Sequence, residues 1–322
     1  MTKFRHLIPL FLLSVLMFVV VLACTGQVDR SMTNAQLEEA ECRAVQNAVG
    51  ETCIPLVPQR VIVLGGGNAL GNLLAIGISP IAASSGWNAV EPFPEHLQNQ
   101  LEGVEYVGST TQPSLERILL LKPDLILAGS HMETFYQRLS QIAPTVIMHN
   151  DVLWKQQLIT LSKMLSKEDI ADQLINNYQQ RVDELKQTLG ESRTDLFISV
   201  VTMTADFGIW AYGSKYPTSI VLDDIGVQRP PSQIGDFDYT EVISLEKLDT
   251  IDGDVLFFVN RRNEDDKNSI FEMQKSPLWQ QLEVVKNNQV YPVDLDHWYI
   301  DHSILGVNAV LDDLFKYLVN SP

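Results

Sequence analysis

An α/β fold of two like lobes, each built on a parallel sheet and joined by one long helix, is predicted by three observations. First, Ser114-Leu115-Glu116 recurs as Ser244-Leu245-Glu246. Each copy has an Asp eight positions past its Glu, followed by a strand of buried type, Leu125-Ile126-Leu127-Ala128 after Asp124 and Val255-Leu256-Phe257-Phe258 after Asp254. Second, two further echoes run in the same order: Ile76-Gly77-Ile78 with Ile225-Gly226-Val227, and Phe135-Tyr136-Gln137-Arg138-Leu139 with Leu278-Trp279-Gln280-Gln281-Leu282. Repetition of this kind implies two units of like build. Third, residues 152–189 between the repeats contain neither Gly nor Pro and place apolar residues at helical spacing.

The elements follow in order. The apolar run at 61–64, set between Pro58 and Gly65-Gly66-Gly67, is a parallel-type buried strand. A helix over 68–76 closes at Gly77, and a strand follows over 78–83. After a loop containing Trp87 come a short Ser114-capped helix broken by Pro123, a strand ending at Ala128, a helix around 133–141 and a strand over 145–148. This is a repeated βαβ unit. Leu158, Leu161 and Leu165 mark one helix; Ser166, with Asp169 three residues on, reads as the start of a second. The second runs from about 167 to 189 and spans roughly 35 Å, enough to cross between lobes. The second lobe repeats the pattern with strands at 196–203, 255–259 and 290–293, helices at 219–225 and 244–248, and a closing amphipathic helix over 304–319.

The 322 residues suffice for two α/β cores, and 45% apolar content marks a globular chain. The net charge of −17 opposes binding to nucleic acid or to anionic lipid. The N-terminus is a targeting segment: Lys3 and Arg5 precede an uncharged run over 7–23 that is short for a membrane span. It ends in Val21-Leu22-Ala23-Cys24, which looks like a bacterial lipobox with Cys24 as the lipidated residue; an uncleaved anchor is the other reading. Cys42 and Cys53 have ten residues between them, and in an exported chain a disulfide is their default state. The organisation expected is a signal segment over 1–23, a tether with the Cys42–Cys53 loop over 24–58, a first lobe over 59–150, a helical linker over 151–190 and a second lobe over 191–322.

Glu116 and Glu246 each sit in the first turn of a capped helix, where the helix dipole favours an acid. Capping explains Ser and Glu singly but not their occurrence at matching places on two lobes. Two such carboxylates would suit two basic sockets on a symmetric partner. Between lobes, the loops at the carboxyl ends of the strands are the place for a ligand. They fall at 65–72, 84–91, 108–112, 129–134, 204–217, 260–266 and 294–302, and hold Trp87, Trp210, Tyr212, Trp298, Arg261 and Arg262. Each aromatic has ordinary core packing as its alternative, and the arginines a solvated loop beside Glu264, Asp265 and Asp266.

Pro58-Gln59-Arg60-Val61-Ile62-Val63-Leu64, Gln112-Pro113-Ser114-Leu115-Glu116-Arg117-Ile118, Lys122-Pro123-Asp124-Leu125-Ile126, Ser244-Leu245-Glu246-Lys247-Leu248, Pro277-Leu278-Trp279, Val290-Tyr291-Pro292-Val293-Asp294 and Trp298 together resemble the iron-siderophore and cobalamin-type binding proteins of ABC transporters. The resemblance covers about 58–320, and the 42–55 stretch is similar to that of cyanobacterial siderophore-binding lipoproteins. It implies two Rossmann-like lobes joined by a single long helix, the class III periplasmic-binding-protein fold of helical-backbone metal receptors. It further implies a ferric siderophore held between the lobes, with iron carried as a chelate and no cofactor of the protein's own. Glu116 and Glu246 would then dock to arginines of an ABC permease. The expected protein is a lipid-anchored monomer of the cell envelope that faces the periplasm, is not an enzyme and closes only modestly on its cargo. The first lobe has no loop arginine to match Arg261 and Arg262, which leaves cobalamin or haem open as cargo. A direct metal site, as in a secreted hydrolase, would have to use Asp294, Asp296, His297, Asp301 and His302, but the two histidines are poorly spaced for one ion. The glycines at 65–71 lack the third glycine and the Lys-Ser/Thr of nucleotide loops.

Overall fold

The computed structural model describes residues 42–65, 67–86, 92–149, 153–261 and 264–319; the signal segment, Cys24, Trp87 and Arg262 lie outside these residues. The chain enters as a hairpin of β1 (Cys42–Asn47) and β2 (Gly50–Pro55), and Cys42 and Cys53 are both disulfide-bonded.

The first lobe is a five-stranded parallel sheet in the order β5-β4-β3-β6-β7. Its strands are β3 (Val61–Leu64), β4 (Ala82–Ala83), β5 (Glu105–Tyr106), β6 (Leu125–Gly129) and β7 (Thr145–Met148). All residues of β3, β6 and β7 are buried, as continuous apolar runs covered on both faces require. The strand expected over 78–83 forms only at its last two residues, and the helix expected around 133–141 is a 3-10 segment, Ser130–Phe135, running into a short α-helix, Tyr136–Leu139. Ala48 N–H donates to the Ile147 carbonyl at 3.2 Å and the Thr52 hydroxyl to the Thr145 carbonyl at 3.2 Å, so the hairpin covers the edge strand β7.

The second lobe holds β8 (Ile198–Thr204), β9 (Gly208–Ala211), β10 (Val255–Asn260) and β11 (Val290–Asp294) in the order β11-β10-β8-β9. Three strands are parallel, matching β3, β6 and β7 of the first lobe. The exception is β9, antiparallel to β8, where a wholly parallel sheet was expected. A tight turn explains it: Phe207 N–H donates to Thr204 Oγ1, and Gly208 sits at φ +81°, a region side chains avoid.

The repeated Asp has a structural role that is the same in both lobes. Asp124 N–H donates to the Arg60 carbonyl while its carboxylate accepts from Arg60 N–H at 2.9 Å and Gln59 N–H at 2.7 Å. Asp254 N–H donates to the Phe197 carbonyl at 2.8 Å and its carboxylate accepts from Phe197 N–H at 2.7 Å. Each Asp thus ties the entry of its own strand to the entry of the strand beside it.

Two helices, α4 (Trp154–Leu165) and α5 (Glu168–Leu189), connect the lobes in sequence; α1 (Gly67–Ala75), α2 (Leu115–Leu120) and α3 (Tyr136–Leu139) precede them. Ser166, expected to start α5, instead ends α4 with a left-handed backbone at φ +55°, and Lys167 stands before the acidic first turn of α5. The buried stripe of α5 is Ala171, Tyr178, Val182 and Leu185. The Tyr178 hydroxyl donates to Asp224 at 2.8 Å, fastening α5 to α6 (Pro217–Ile225) of the second lobe.

A second connection runs through 295–304, which joins a π-helical turn at Asp296–Ile300 to the closing helix Ile304–Leu318. His302 N–H donates to Asn68 Oδ1 and Ile304 N–H to Asn72 Oδ1, both at 2.9 Å. His96 Nε2 lies 2.8 Å from Asp301 Oδ2, and Glu95 N–H donates to Asp296 Oδ2 at 2.7 Å. The approach is close: a Cβ on Gly71 would overlap Ser303, and one on Gly86 would stand 2.7 Å from Ile300. With the packed α4–α5 connection and this strap both joining the lobes, little closure is left to ligand binding. Solution scattering of free and cargo-loaded protein should give nearly superimposable low-angle curves; a large drop in radius of gyration would overturn this expectation.

Candidate functional site

The carboxyl ends of the strands in both lobes lead toward this strap. On the first-lobe side, Gly65 leaves β3 at φ +116°, and its N–H donates to Ser84 Oγ at 2.9 Å. A Cβ there would stand 2.8 Å from both Gly129 N and the His131 ring, so only glycine lets the loops after β3 and β6 come together. Desolvation lowers the His131 imidazole below its ordinary value of 6.5, which keeps it uncharged at neutral pH.

The second-lobe side is built of rings. Tyr212, just past β9, stacks on Tyr216 with centroids 4.4 Å apart. Tyr299 from the strap lies parallel to both, at 6.3 and 6.2 Å, and Tyr239 closes the group at 5.7 and 5.1 Å. The Tyr216 hydroxyl donates to the Tyr299 carbonyl at 2.8 Å. Burial raises the phenol pKa of Tyr212, Tyr216 and Tyr239, so these hydroxyls stay protonated. His302 meets Tyr216 edge-on at 5.0 Å.

Arg261, leaving β10, extends among these rings and is only 6% exposed. Its guanidinium carbon lies 4.8 Å from the Tyr299 ring centre and 5.5 Å from that of Trp210, and its Nε donates to Thr202 Oγ1 at 3.4 Å. Aromatic faces stabilise a cation by about 0.5–2 kcal/mol each, far less than the several kcal/mol lost on desolvating it. A buried guanidinium held by rings is suited to receive a planar anionic group of oxygens.

Of the predicted contacts, Trp210, Tyr212 and Arg261 come together in this cluster. Trp298 does not. It is 0% exposed, packs on Phe257 at 4.8 Å and donates its indole N–H to Asp313 at 2.8 Å, because the π-helical turn rotates it into the second-lobe core. Tyr216 and Tyr239 were not singled out from the sequence; their distance along the chain from each other and from Tyr299 hides the cluster. The two histidines judged poorly spaced for direct ligation part company, His297 to Asp313 at 2.8 Å and His302 to Tyr216. Among the described residues no group of three His, Cys, Asp or Glu could hold a metal ion.

Glu116 and Glu246 are both exposed. Ser114 caps α2 as expected, accepting from Arg117 N–H at 3.4 Å. Ser244 makes no such cap; it hydrogen-bonds the Glu246 carboxylate, which its own backbone N–H first and Ser244 second hold below the ordinary range.

A family model described as periplasmic binding protein matches residues 61–296. A probable siderophore-binding lipoprotein, YfiY of Bacillus subtilis, is 31% identical over 98% of this chain and 99% of its own. The achromobactin-binding periplasmic protein of Dickeya dadantii is 32% identical over 81% of this chain and 86% of its own. Among solved structures, SirA of Staphylococcus aureus complexed with staphyloferrin B superposes with a TM-score of 0.74 and 29% identity, covering 86% of this chain and 98% of that one.

Proposed function

This chain belongs to the periplasmic binding protein family, and from that premise we propose that it is the solute-binding component of an ABC importer that captures a ferric siderophore and hands it to a membrane permease. It works as a lipid-anchored protein on the outer side of the membrane and binds rather than transforms its cargo. Iron arrives and leaves as a chelate.

The observation that carries this reading is the buried Arg261 guanidinium among Trp210, Tyr212 and Tyr299. Rings of this kind match the organic shell of a chelate, and the guanidinium matches its anionic oxygens. Trp87 and Arg262, which the sequence places after strands, complete the proposed contacts. Glu116 and Glu246 are the proposed permease anchors. We also group the chain with the cyanobacterial siderophore-binding lipoproteins, on the strength of the disulfide hairpin that follows its tether.

The test is tryptophan fluorescence titration against ferric citrate, a ferric trihydroxamate, a ferric tris-catecholate, cobalamin and haem. Saturable quenching by an iron chelate, absent for cobalamin and haem, is expected. Quenching by none of the iron chelates would sink the reading.

A further inference from the structure

Away from the ring cluster, apolar surface lies beside each of the two exposed glutamates. On α2, Glu116, Leu119 and Leu120 stand at positions i, i+3 and i+4, and so share one face of the helix. Ile118 points the other way, into the core, yet Leu119 is 57% and Leu120 72% exposed. In the second lobe Leu245 adjoins Glu246 and is exposed. Val242, 62% exposed, lies against the β8–β9 turn, where a Cβ on Gly208 would stand 3.1 Å from its side chain. Phe207, in that turn, is 69% exposed. Single exposed apolar residues need no explanation, but grouped ones mark an interaction surface.

Three occupants could cover such patches: lipid, a second copy of this chain, or the permease. The chain's charge of −17 repels an anionic membrane surface and repels a second copy, with the patches themselves carrying carboxylates. Both patches instead combine a carboxylate with apolar side chains, the complement of a basic socket with an apolar rim. We infer that Leu119–Leu120 on the first lobe and Phe207, Val242 and Leu245 on the second form the apolar part of the permease-docking surface. The carboxylates then steer and orient the encounter, and the apolar residues hold the docked state. This rests on the docking role proposed for Glu116 and Glu246.

The test uses the full-length lipidated chain in cells lacking the wild-type copy, with uptake of radiolabelled ferric citrate, or of the ferric trihydroxamate or tris-catecholate if titration selects one of those. The double variants Leu119→Asn/Leu120→Asn and Val242→Asn/Leu245→Asn replace exposed side chains only. Each should lower uptake by about tenfold, the equivalent of about 1.4 kcal/mol, with chelate affinity and melting temperature unchanged. Uptake within about twofold of wild type for both doubles, in a background where Glu116→Lys/Glu246→Lys abolishes it, would overturn the inference and leave the docking role intact. If the glutamate double variant also transports normally, the docking role itself falls, and the inference with it. A Phe207→Trp reporter separates the occupants. Its emission should shift to the blue on membrane vesicles containing the transporter. An equal shift on liposomes of the extracted lipids would assign the patch to lipid and overturn the inference, as would a dimer in sedimentation that the asparagine variants dissociate.

Discussion

Lysine at both Glu116 and Glu246 is expected to abolish cargo import while leaving cargo affinity within about twofold of wild type, because the two sites lie outside the cleft cluster. Both carboxylates are exposed and neither supports the fold through a buried contact, so the substitutions should move stability by about 0.5 kcal/mol or less. Their effect falls on the partner. A carboxylate facing a guanidinium gains charge-assisted, bidentate contacts, and a lysine there places like charges face to face at a cost of several kcal/mol. At about 3 kcal/mol per site, each reversal lowers affinity roughly 100-fold, and the two together remove docking at any cellular concentration. Single reversals should show intermediate uptake and a weaker dependence on salt, because screening weakens the remaining attractive contact and relieves the new repulsive one. Uptake by the double variant at the wild-type rate, measured with equal amounts in the membrane, would refute the docking role. The two sites are not equivalent locally: Glu246 is oriented by Ser244, whereas Ser114 is committed to its cap. Ser244→Ala should therefore weaken transport slightly, and Ser114→Ala should act through helix stability instead.

Much of the fold was legible because its strands are buried on both faces and read as unbroken apolar runs. The run Thr145–Met148 forms a strand with the bounds read from the sequence, and Val61–Leu64 likewise. The long helix announced itself by a stripe of apolar residues on an otherwise polar surface. What failed to register depends on backbone geometry rather than hydrophobic pattern. The four residues of β9 are set by a turn with positive φ at Gly208, and the short β1–β2 hairpin draws its place from hydrogen bonds to the edge of β7. At the candidate site, position after a strand drew attention to Trp210, Tyr212 and Arg261, which the fold brings into one cluster. The same rule drew in Trp298, which a π-helical turn carries away from the cluster and against Phe257 without leaving a trace in composition. Tyr216 and Tyr239 escaped because stacking joins residues that no sequence period links. The repeated Ser-Leu-Glu divided into parts only once the partners were visible: its trailing Asp clamps strand entries, and its Glu faces outward.

Acid should unlock the strap through His302. Burial lowers this imidazole from 6.5 to about 4, against a smaller opposing pull from Asp301 and a hydrogen bond to the backbone of Tyr299. Its Nε2 is buried without a partner among the described residues, so a proton added there gains no acceptor. The folded pKa is the lower one, and the unfolded chain therefore takes the proton first as pH falls. Stability from this group is complete above pH 6.5, declines between 6.5 and about 4, and is flat below, with a total loss of about 3 kcal/mol. The loss should appear in the candidate site as well as in the melt. His302 packs on Tyr216 and its backbone N–H holds Asn68 of the first lobe, so a charged ring disturbs the tyrosine stack and the lobe contact together. Urea unfolding at pH 7 and pH 4.5 measures the effect, and His302→Phe, which keeps an aromatic ring against Tyr216 but cannot titrate, should remove most of the difference. An unchanged pH dependence in that variant would show that other groups, and not His302, carry the acid sensitivity.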